Sequence, residues 1–281
     1  MSVHPPAPRV SVVIPTYNRA WSLATAVDSV LSQDFEAFET IVVDDGSTDE
    51  TPALLAAYGA ALRVIRQPNR GVSAARNAGI CAARAPLVAL LDSDDYWLPG
   101  KLAAQTAFFD QNPEAVICQT EETWIRNGVR VNPGKRHRKR SGMIFEPSLE
   151  LCLVSPSAVM LRRSLFESVG FFDERLPACE DYDLWLRIGC RHPVHLIDRP
   201  LIVKRGGHPD QLSRAPGLDR YRIRAICGLL ARNVLTADQR RAAWETLAAK
   251  CAIYAAGCRK RGRQAEAEHC LALVARFRPE A

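Results

Sequence analysis

No stretch of the 281-residue sequence approaches the roughly 18 consecutive apolar residues a membrane span requires. The N-terminus lacks a basic segment followed by a long apolar core, which argues against a signal peptide. No C-x-x-C occurs among the nine cysteines. Their odd number and scattered positions fit reduced thiols in a cytoplasmic protein better than a disulfide framework or a zinc site. Neither a Walker sequence nor G-x-G-x-x-G is present. Gly71 and Gly79 flank one helical stretch without forming either phosphate loop, so a dinucleotide dehydrogenase is disfavoured. Aromatic residues do not interleave with the basic ones, which argues against nucleic acid as a partner. No convincing internal repeat is found.

What is present is an ordinary globular composition, 47% hydrophobic and 24% charged. The formal charge of +6 is concentrated in "KRHRKR" (Lys135 to Arg140) and in an arginine-rich C-terminal part. Such patches suit anionic lipid headgroups, nucleic acid or a phosphorylated substrate, and charge alone does not choose among them. Residues 1–8, with three prolines and no periodicity, read as a loose tail. From Arg9 to Asp95 the chain alternates strand, helix, strand, helix, strand, helix, strand. "VSVVI", "TIVV" and "LVALL" are continuous apolar runs, as expected of strands buried on both faces. This predicts an α/β fold with a mostly parallel central sheet flanked by helices. Further strands and helices continue to about residue 215, with "VHLIDRPLIVKRGG" read as two strands around a turn. Residues 216–281 read as a C-terminal helical appendage of three helices, with Thr236 as a cap.

In an open α/β sheet, ligands bind beyond the carboxyl ends of the strands. Pro15, Thr16, Tyr17 and Asn18 follow the first strand, Asp44 and Asp45 the second, and "DSDD" the fourth. Asp92, Asp94 and Asp95 place three carboxylates in four positions, which repel one another without compensation. A divalent cation, Mg2+ or Mn2+, held by one or two protein ligands and a substrate phosphate, supplies it. An exposed acidic turn is the plainer alternative. Asp44, Asp45 and Ser47 suit either turn hydrogen bonds or contacts to a base or ribose. Arg76 and Asn77 suit either a diphosphate or a brace for the acidic rim.

"SVVIPTYNR", "VVDDGSTDET", "GVSAARNAG", "LLDSDDYWLPGKL" and "CEDYDLWLRIG" together resemble the inverting family 2 glycosyltransferases of the GT-A fold. The resemblance runs from about Pro8 to Arg205. It implies a GT-A domain over 9–215, with a donor-binding part at 9–120 and an acceptor and catalytic part at 121–215. It implies a nucleoside-diphosphate sugar as donor, most often a UDP-sugar. Pro15, Thr16, Tyr17, Asn18 and Asp45 would then line the nucleoside pocket, with Arg76, Asp92, Ser93 and Asp94 also on the donor. Asp92 and Asp94 match the ends of the Asp-x-Asp element, and which of Asp92, Asp94 and Asp95 meets the metal stays open. Asp94, Asp95 and a late histidine, His208, are the implied ligands of Mn2+ or Mg2+. Asp181 matches the catalytic base, with Glu180 beside it. Trp185, four residues on, is placed under the acceptor sugar, and Trp124 with the basic run where an acceptor would enter.

The implied activity is metal-dependent transfer of a sugar to a glycan or lipid-linked acceptor, in the synthesis of a surface polysaccharide, lipopolysaccharide or related glycan. Outside the resemblance, the basic run suits a lipid-linked acceptor, a peripheral contact with the inner face of the membrane or a plain solvated loop, and the C-terminal helices suit an acceptor wall, a homodimer contact or a membrane-docking face. Two alternatives remain beside sugar transfer. A metal-dependent nucleotidyltransferase needs similar carboxylates, but "PTYNRAW" stands where its glycine-rich, lysine-bearing loop belongs. A non-catalytic glycan-binding scaffold would be marked by loss of Asp181 or of the aspartate cluster, and both are present.

Overall fold

The computed structural model describes residues 7–132, 134–208, 211–212 and 215–279. Most of the expected N-terminal tail, residues 1–6, lies outside the described residues. β1 (Val10–Thr16) is buried along its whole length. It is followed by α1 (Ala20–Leu31), β2 (Phe38–Asp44), α2 (Thr51–Ala57), β3 (Arg63–Arg66), α3 (Val72–Ala82) and β4 (Leu87–Leu90). β1 pairs in parallel with β2 and β4, and β2 with β3. The carboxyl ends of these four strands therefore share one edge. The close seat of α3 on the sheet depends on Gly79, where a Cβ would stand 2.3 Å from Val13 Cγ1.

The second half contributes β5 (Tyr96–Trp97), α4 (Lys101–Gln111), β6 (Ile117–Arg126), β7 (Val129–Val131), α5 (Phe145–Glu150), β8 (Val159–Arg162), α6 (Leu165–Val169), α7 (Glu180–Gly189) and β9 (His195–Gly206). The sheet order is β3-β2-β1-β4-β8-β6-β9-β5, with β7 on β6. β8 runs antiparallel to both β4 and β6, and β9 runs parallel to β6, so the sheet is more mixed than the alternation of the first half suggests. The β6–β7 hairpin turns at Asn127 and Gly128, whose φ values of 49° and 76° are those of a tight primed turn.

One expectation is corrected. The segment read as two strands around a turn is the single strand β9. Its register against β6 slips at Asp198 and Arg199, between Thr120 and Glu121, and again at Leu201, on either side of Pro200, which pairs with Glu121. Bulges absorb these turn-forming residues without ending the strand.

The C-terminal region is α8 (Asp219–Leu230), α9 (Ala237–Arg259) and α10 (Gln264–Arg276). Thr236 caps α9 in a reciprocal box: its Oγ1 accepts from Gln239 N at 3.2 Å, and Gln239 Oε1 accepts from Thr236 N at 3.1 Å. These helices share a core with α5 and α7, in which Phe145, Leu149, Tyr182 and Leu186 meet Ile226 and Leu247. Among the described residues no helix is long and apolar enough to cross a membrane.

Candidate active site

The turns after β1 and β2 clasp each other. Asn18, at φ 51°, accepts at Oδ1 from Thr48 N at 2.8 Å, and its backbone N donates to Ser47 Oγ at 2.9 Å. Asp45 is buried and accepts from Gln67 Nε2 at 2.7 Å, Arg70 N at 3.0 Å and Gly71 N at 2.8 Å. It thereby sets the loop that enters α3 and uses three of its roughly four acceptor positions. Pro15 and Thr16 are buried at the end of β1, whereas Tyr17 is 44% exposed. Thr16 Oγ1 has no hydrogen-bond partner among the described residues.

Beyond β4, each aspartate has a different fate. Asp92 accepts from Arg76 Nη2 at 2.6 Å, and its backbone N donates to Ser157 Oγ at 3.1 Å. Ser93 is buried, its carbonyl taking the Ser22 hydroxyl at 2.8 Å. Asp94 Oδ2 lies 2.8 Å from His208 Nε2. Burial and the Asp92 charge push the Asp94 carboxyl above its usual value, with His208 and Arg19 pulling the other way. Asp95 is 2% exposed and fully engaged, accepting from Ser157 Oγ at 2.6 Å and Arg205 N at 2.9 Å. Burial, then the Asp94 charge, raise its carboxyl well above the ordinary range. Its hydrogen bonds tie the end of β9 to the acidic turn.

Arg76 joins the two halves. Nη2 reaches Asp92, and Nη1 reaches Glu180 at the start of α7 at 2.6 Å. The guanidinium is buried and lies over the Phe172 ring at 5.1 Å. Burial works against its charge, but the two carboxylates raise it above the ordinary arginine value. Of the two roles expected for Arg76, the bracing one is what its fork performs. A chain separation of 104 residues is closed by this one side chain.

α7 begins at Cys179, held at φ 60°, and its first turn carries Glu180, Asp181 and Asp183, as a helix N-terminus favours. Asp181 is half-buried. Its Oδ1 accepts from Tyr182 N at 2.7 Å, and its Oδ2 takes the Cys152 thiol at 3.6 Å. Trp185 is not beside an open acceptor face. It is 3% exposed and packs edge-on against Phe172 at 6.3 Å, because the apolar side of α7 faces the core. Trp124 is half-buried and donates from Nε1 to Glu122 at 2.6 Å.

A buried polar cluster lies beneath Trp124 that the sequence did not disclose. Lys139, from the middle of the basic run, is 5% exposed and 3.0 Å from Glu122 Oε2. It also donates to Gln119 Oε1 at 3.0 Å. Lys204 of β9 reaches Ser155 Oγ at 3.4 Å and lies 5.9 Å from the Trp124 ring. Burial opposes its charge, but Glu122, Asp95, Asp92 and Asp181 together raise the ammonium above the ordinary lysine value. Glu122 answers in kind: despite burial, Lys139 and Lys204 hold it down at about 2. Lys204 thus stands in the field of both the β4 carboxylates and Asp181. The only hint in the sequence was a charged pair, Lys204 and Arg205, inside an apolar strand.

Among the described residues no group of three His, Cys, Asp or Glu side chains forms a metal cage. Asp94 with His208 nevertheless fits a two-ligand site. The two meet directly, His208 Nε2 at 2.8 Å from Asp94 Oδ2, and imidazole nitrogen with carboxylate oxygen is the donor set that would hold a divalent ion there.

The motifs and this geometry meet in the comparisons with known proteins. The model of glycosyl transferase family 2 matches residues 11–170. The chain belongs to that family, whose members are sugar-transferring enzymes. It is similar to the uncharacterized glycosyltransferase YwdF of Bacillus subtilis, with 32% identity over 243 residues, covering 79% of this chain and 89% of YwdF. It is also similar to the Escherichia coli UDP-Glc:alpha-D-GlcNAc-diphosphoundecaprenol beta-1,3-glucosyltransferase WfaP, with 29% identity, covering 64% of this chain and 69% of WfaP. Rickettsial relatives are longer: the match spans 66% of RP339 of Rickettsia prowazekii and 31% of a Rickettsia bellii glycosyltransferase, each at 30% identity over 73% and 74% of this chain. In structure the chain resembles residues 1–349 of Staphylococcus aureus TarS in complex with UDP-GlcNAc. The TM-score is 0.78 at 20% identity, over 96% of this chain and 82% of TarS 1–349. At that identity the likeness establishes the fold.

Proposed function

We propose that the chain transfers a sugar from a nucleoside-diphosphate donor, a UDP-sugar, to an acceptor hydroxyl with inversion at the anomeric carbon. The observation that carries this reading is Arg76, which holds Asp92 and Glu180 on one guanidinium. This link supports a reading in which the neighbouring carboxylates, Asp94 and Asp181, serve one reaction. The nucleoside rests against Tyr17 and Asn18, and Thr16 Oγ1 supplies a buried polar atom without a protein partner. Asp94 and His208 would hold Mn2+ or Mg2+, which when bound neutralises charge on the departing diphosphate.

Asp181 receives the proton of the acceptor hydroxyl. That oxygen bonds to the anomeric carbon from the face opposite the diphosphate. The carbon–oxygen bond to phosphate breaks, and its electron pair leaves on the nucleoside diphosphate. Trp124 and the half-buried Lys204 form the acceptor side of the cleft, with Glu180 behind Asp181. For the acceptor we take a lipid-linked diphosphate sugar, the class printed in the name of the relative WfaP, or another surface glycan.

The reading is tested by incubating the protein with Mn2+ and a panel of UDP-, GDP- and dTDP-sugars and measuring nucleoside diphosphate release. UDP release, abolished by Asp94→Ala, is expected. Release from no donor, or undiminished release by the variant, would overturn it.

A further inference from the structure

A groove of about 630 Å3 lies on the side of α7 away from the donor edge, between the 168–176 loop, α8 and α10. Five arginines line it against two aspartates, and the balance between them is uneven. Arg187 is fully spent. It grips Asp183 at 2.7 and 2.9 Å and donates to the carbonyls of Val169 at 2.6 Å and Phe171 at 2.8 Å. Arg175 closes on Asp173 through two nitrogens, each at 2.9 Å. Both aspartates are thus neutralised within the wall. Arg224, Arg232 and Arg276 remain as three guanidiniums with no ion pair to a carboxylate among the described residues.

Helix ends account for part of this excess. Arg276 lies in the last turn of α10 and Arg232 just past α8, where the helix carbonyls favour a cation. Arg224 sits in the body of α8, away from either end; it donates to Arg175 O at 3.3 Å, and its charge helps hold the Asp173 carboxyl below its usual value without an ion pair to it. Three like charges around one groove repel each other, and a bound anion removes that cost. The floor has another character. Leu176, Ala225 and Phe277 are buried and apolar, and a Cβ at Gly228 would meet nothing within 4 Å. An apolar, open floor under a guanidinium rim suits a ligand with a ring body and a multiply charged oxyanion. Guanidinium forks recognise phosphate in paired hydrogen bonds.

We propose that this groove is a second ligand site, which binds the phosphate ester of a sugar or of a lipid headgroup. It is separate from the donor edge but mechanically continuous with it. The 168–176 loop that walls the groove is tied on its other face to α3: Asn77 exchanges hydrogen bonds with the Phe172 backbone at 3.0 Å in both directions, and Arg70 pairs with Glu174 at 2.7 Å. A phosphate-bearing molecule seated here lies against the helix whose first turn presents Asp181.

The site is tested without donor or turnover, so its failure and that of the sugar-transfer reading are distinguishable. Inorganic pyrophosphate is titrated calorimetrically in the presence of EDTA into the full chain, Arg224→Ala/Arg276→Ala, Arg224→Lys/Arg276→Lys and Asp94→Ala. In parallel, phosphatidylcholine vesicles with and without phosphatidylglycerol are co-sedimented with the same proteins. Weakening of pyrophosphate binding by about tenfold or more in the alanine pair, a smaller weakening in the lysine pair, which keeps the charge but loses the fork, and retention in Asp94→Ala are expected. Vesicle binding that needs phosphatidylglycerol and is lost in the alanine pair, without pyrophosphate binding, also supports the site and names the headgroup as the source. Equal binding by wild type and the alanine pair, loss in Asp94→Ala instead, or binding of neither probe would overturn it.

Discussion

The two halves of the sheet are built differently. On the β1–β4 side, the carboxylates sit in short contiguous motifs, and backbone N–H groups of nearby turns do much of the holding: Asp45 takes Arg70 N and Gly71 N, and Asp44 takes Ser47 N at 2.9 Å. On the β6–β9 side, charge is balanced between side chains from separate elements: Glu122 on β6, Lys139 from the loop after β7, and Lys204 on β9. The first kind of site is written locally, whereas the second exists only once the sheet has formed. Arg76 is of the second kind although it stands on α3, since it joins the carboxylate after β4 to one on α7.

The contrast can be broken most forcefully at that joint. Arg76→Met leaves Asp92 and Glu180 without their cation, and removing one member of a buried ion pair costs about 3–5 kcal/mol. Urea unfolding should show a loss of that order, and Arg76→Met/Glu180→Gln should recover part of it. A loss below about 1 kcal/mol would mean that the halves do not depend on this residue.

The β6–β9 side is probed by Glu122→Gln, which strips the shared carboxylate from two half-buried or buried ammonium groups. A destabilisation of about 2 kcal/mol at neutral pH is expected. The pH dependence has a definite sign. Glu122 titrates at about 2 when folded, against an ordinary 4.5, so its contribution is complete above about 4.5 and is lost as pH falls through about 2. Wild type should lose this part of its stability in that window and Glu122→Gln should not. Matching acid-unfolding curves would contradict the network. The smallest effect lies far from either side: Thr236→Ala removes the cap of α9 for about 1 kcal/mol, leaving nucleoside diphosphate release unchanged.

The same division explains what could be read before the fold was known. The parallel strands of the first half follow from their apolar runs, and the aspartates at their ends from position alone. The Thr236 cap was likewise a local signal. Lys139 was hidden in a run of like charges whose other basic members, Lys135, Arg136, Arg138 and Arg140, are exposed. Nothing in its surroundings distinguished the one that turns inward to Glu122. Trp185 was misplaced because spacing along a helix fixes which residues share a side, not whether that side meets core or cleft. Asp198, Arg199 and Pro200 carried turn chemistry that β9 takes up as bulges, a distinction only the partner strand β6 can make.

The central claim is that donor binding and proton removal are separate tasks placed in one cleft by the two sides. It is tested most directly by calorimetric titration of UDP, with and without Mn2+, into wild type and Asp181→Asn, paired with their rates of sugar transfer. The account predicts Mn2+-dependent UDP binding of equal strength in both proteins, and a transfer rate lower by about 10²–10⁴-fold in the variant. Loss of UDP binding in Asp181→Asn, or transfer at the wild-type rate, would contradict it.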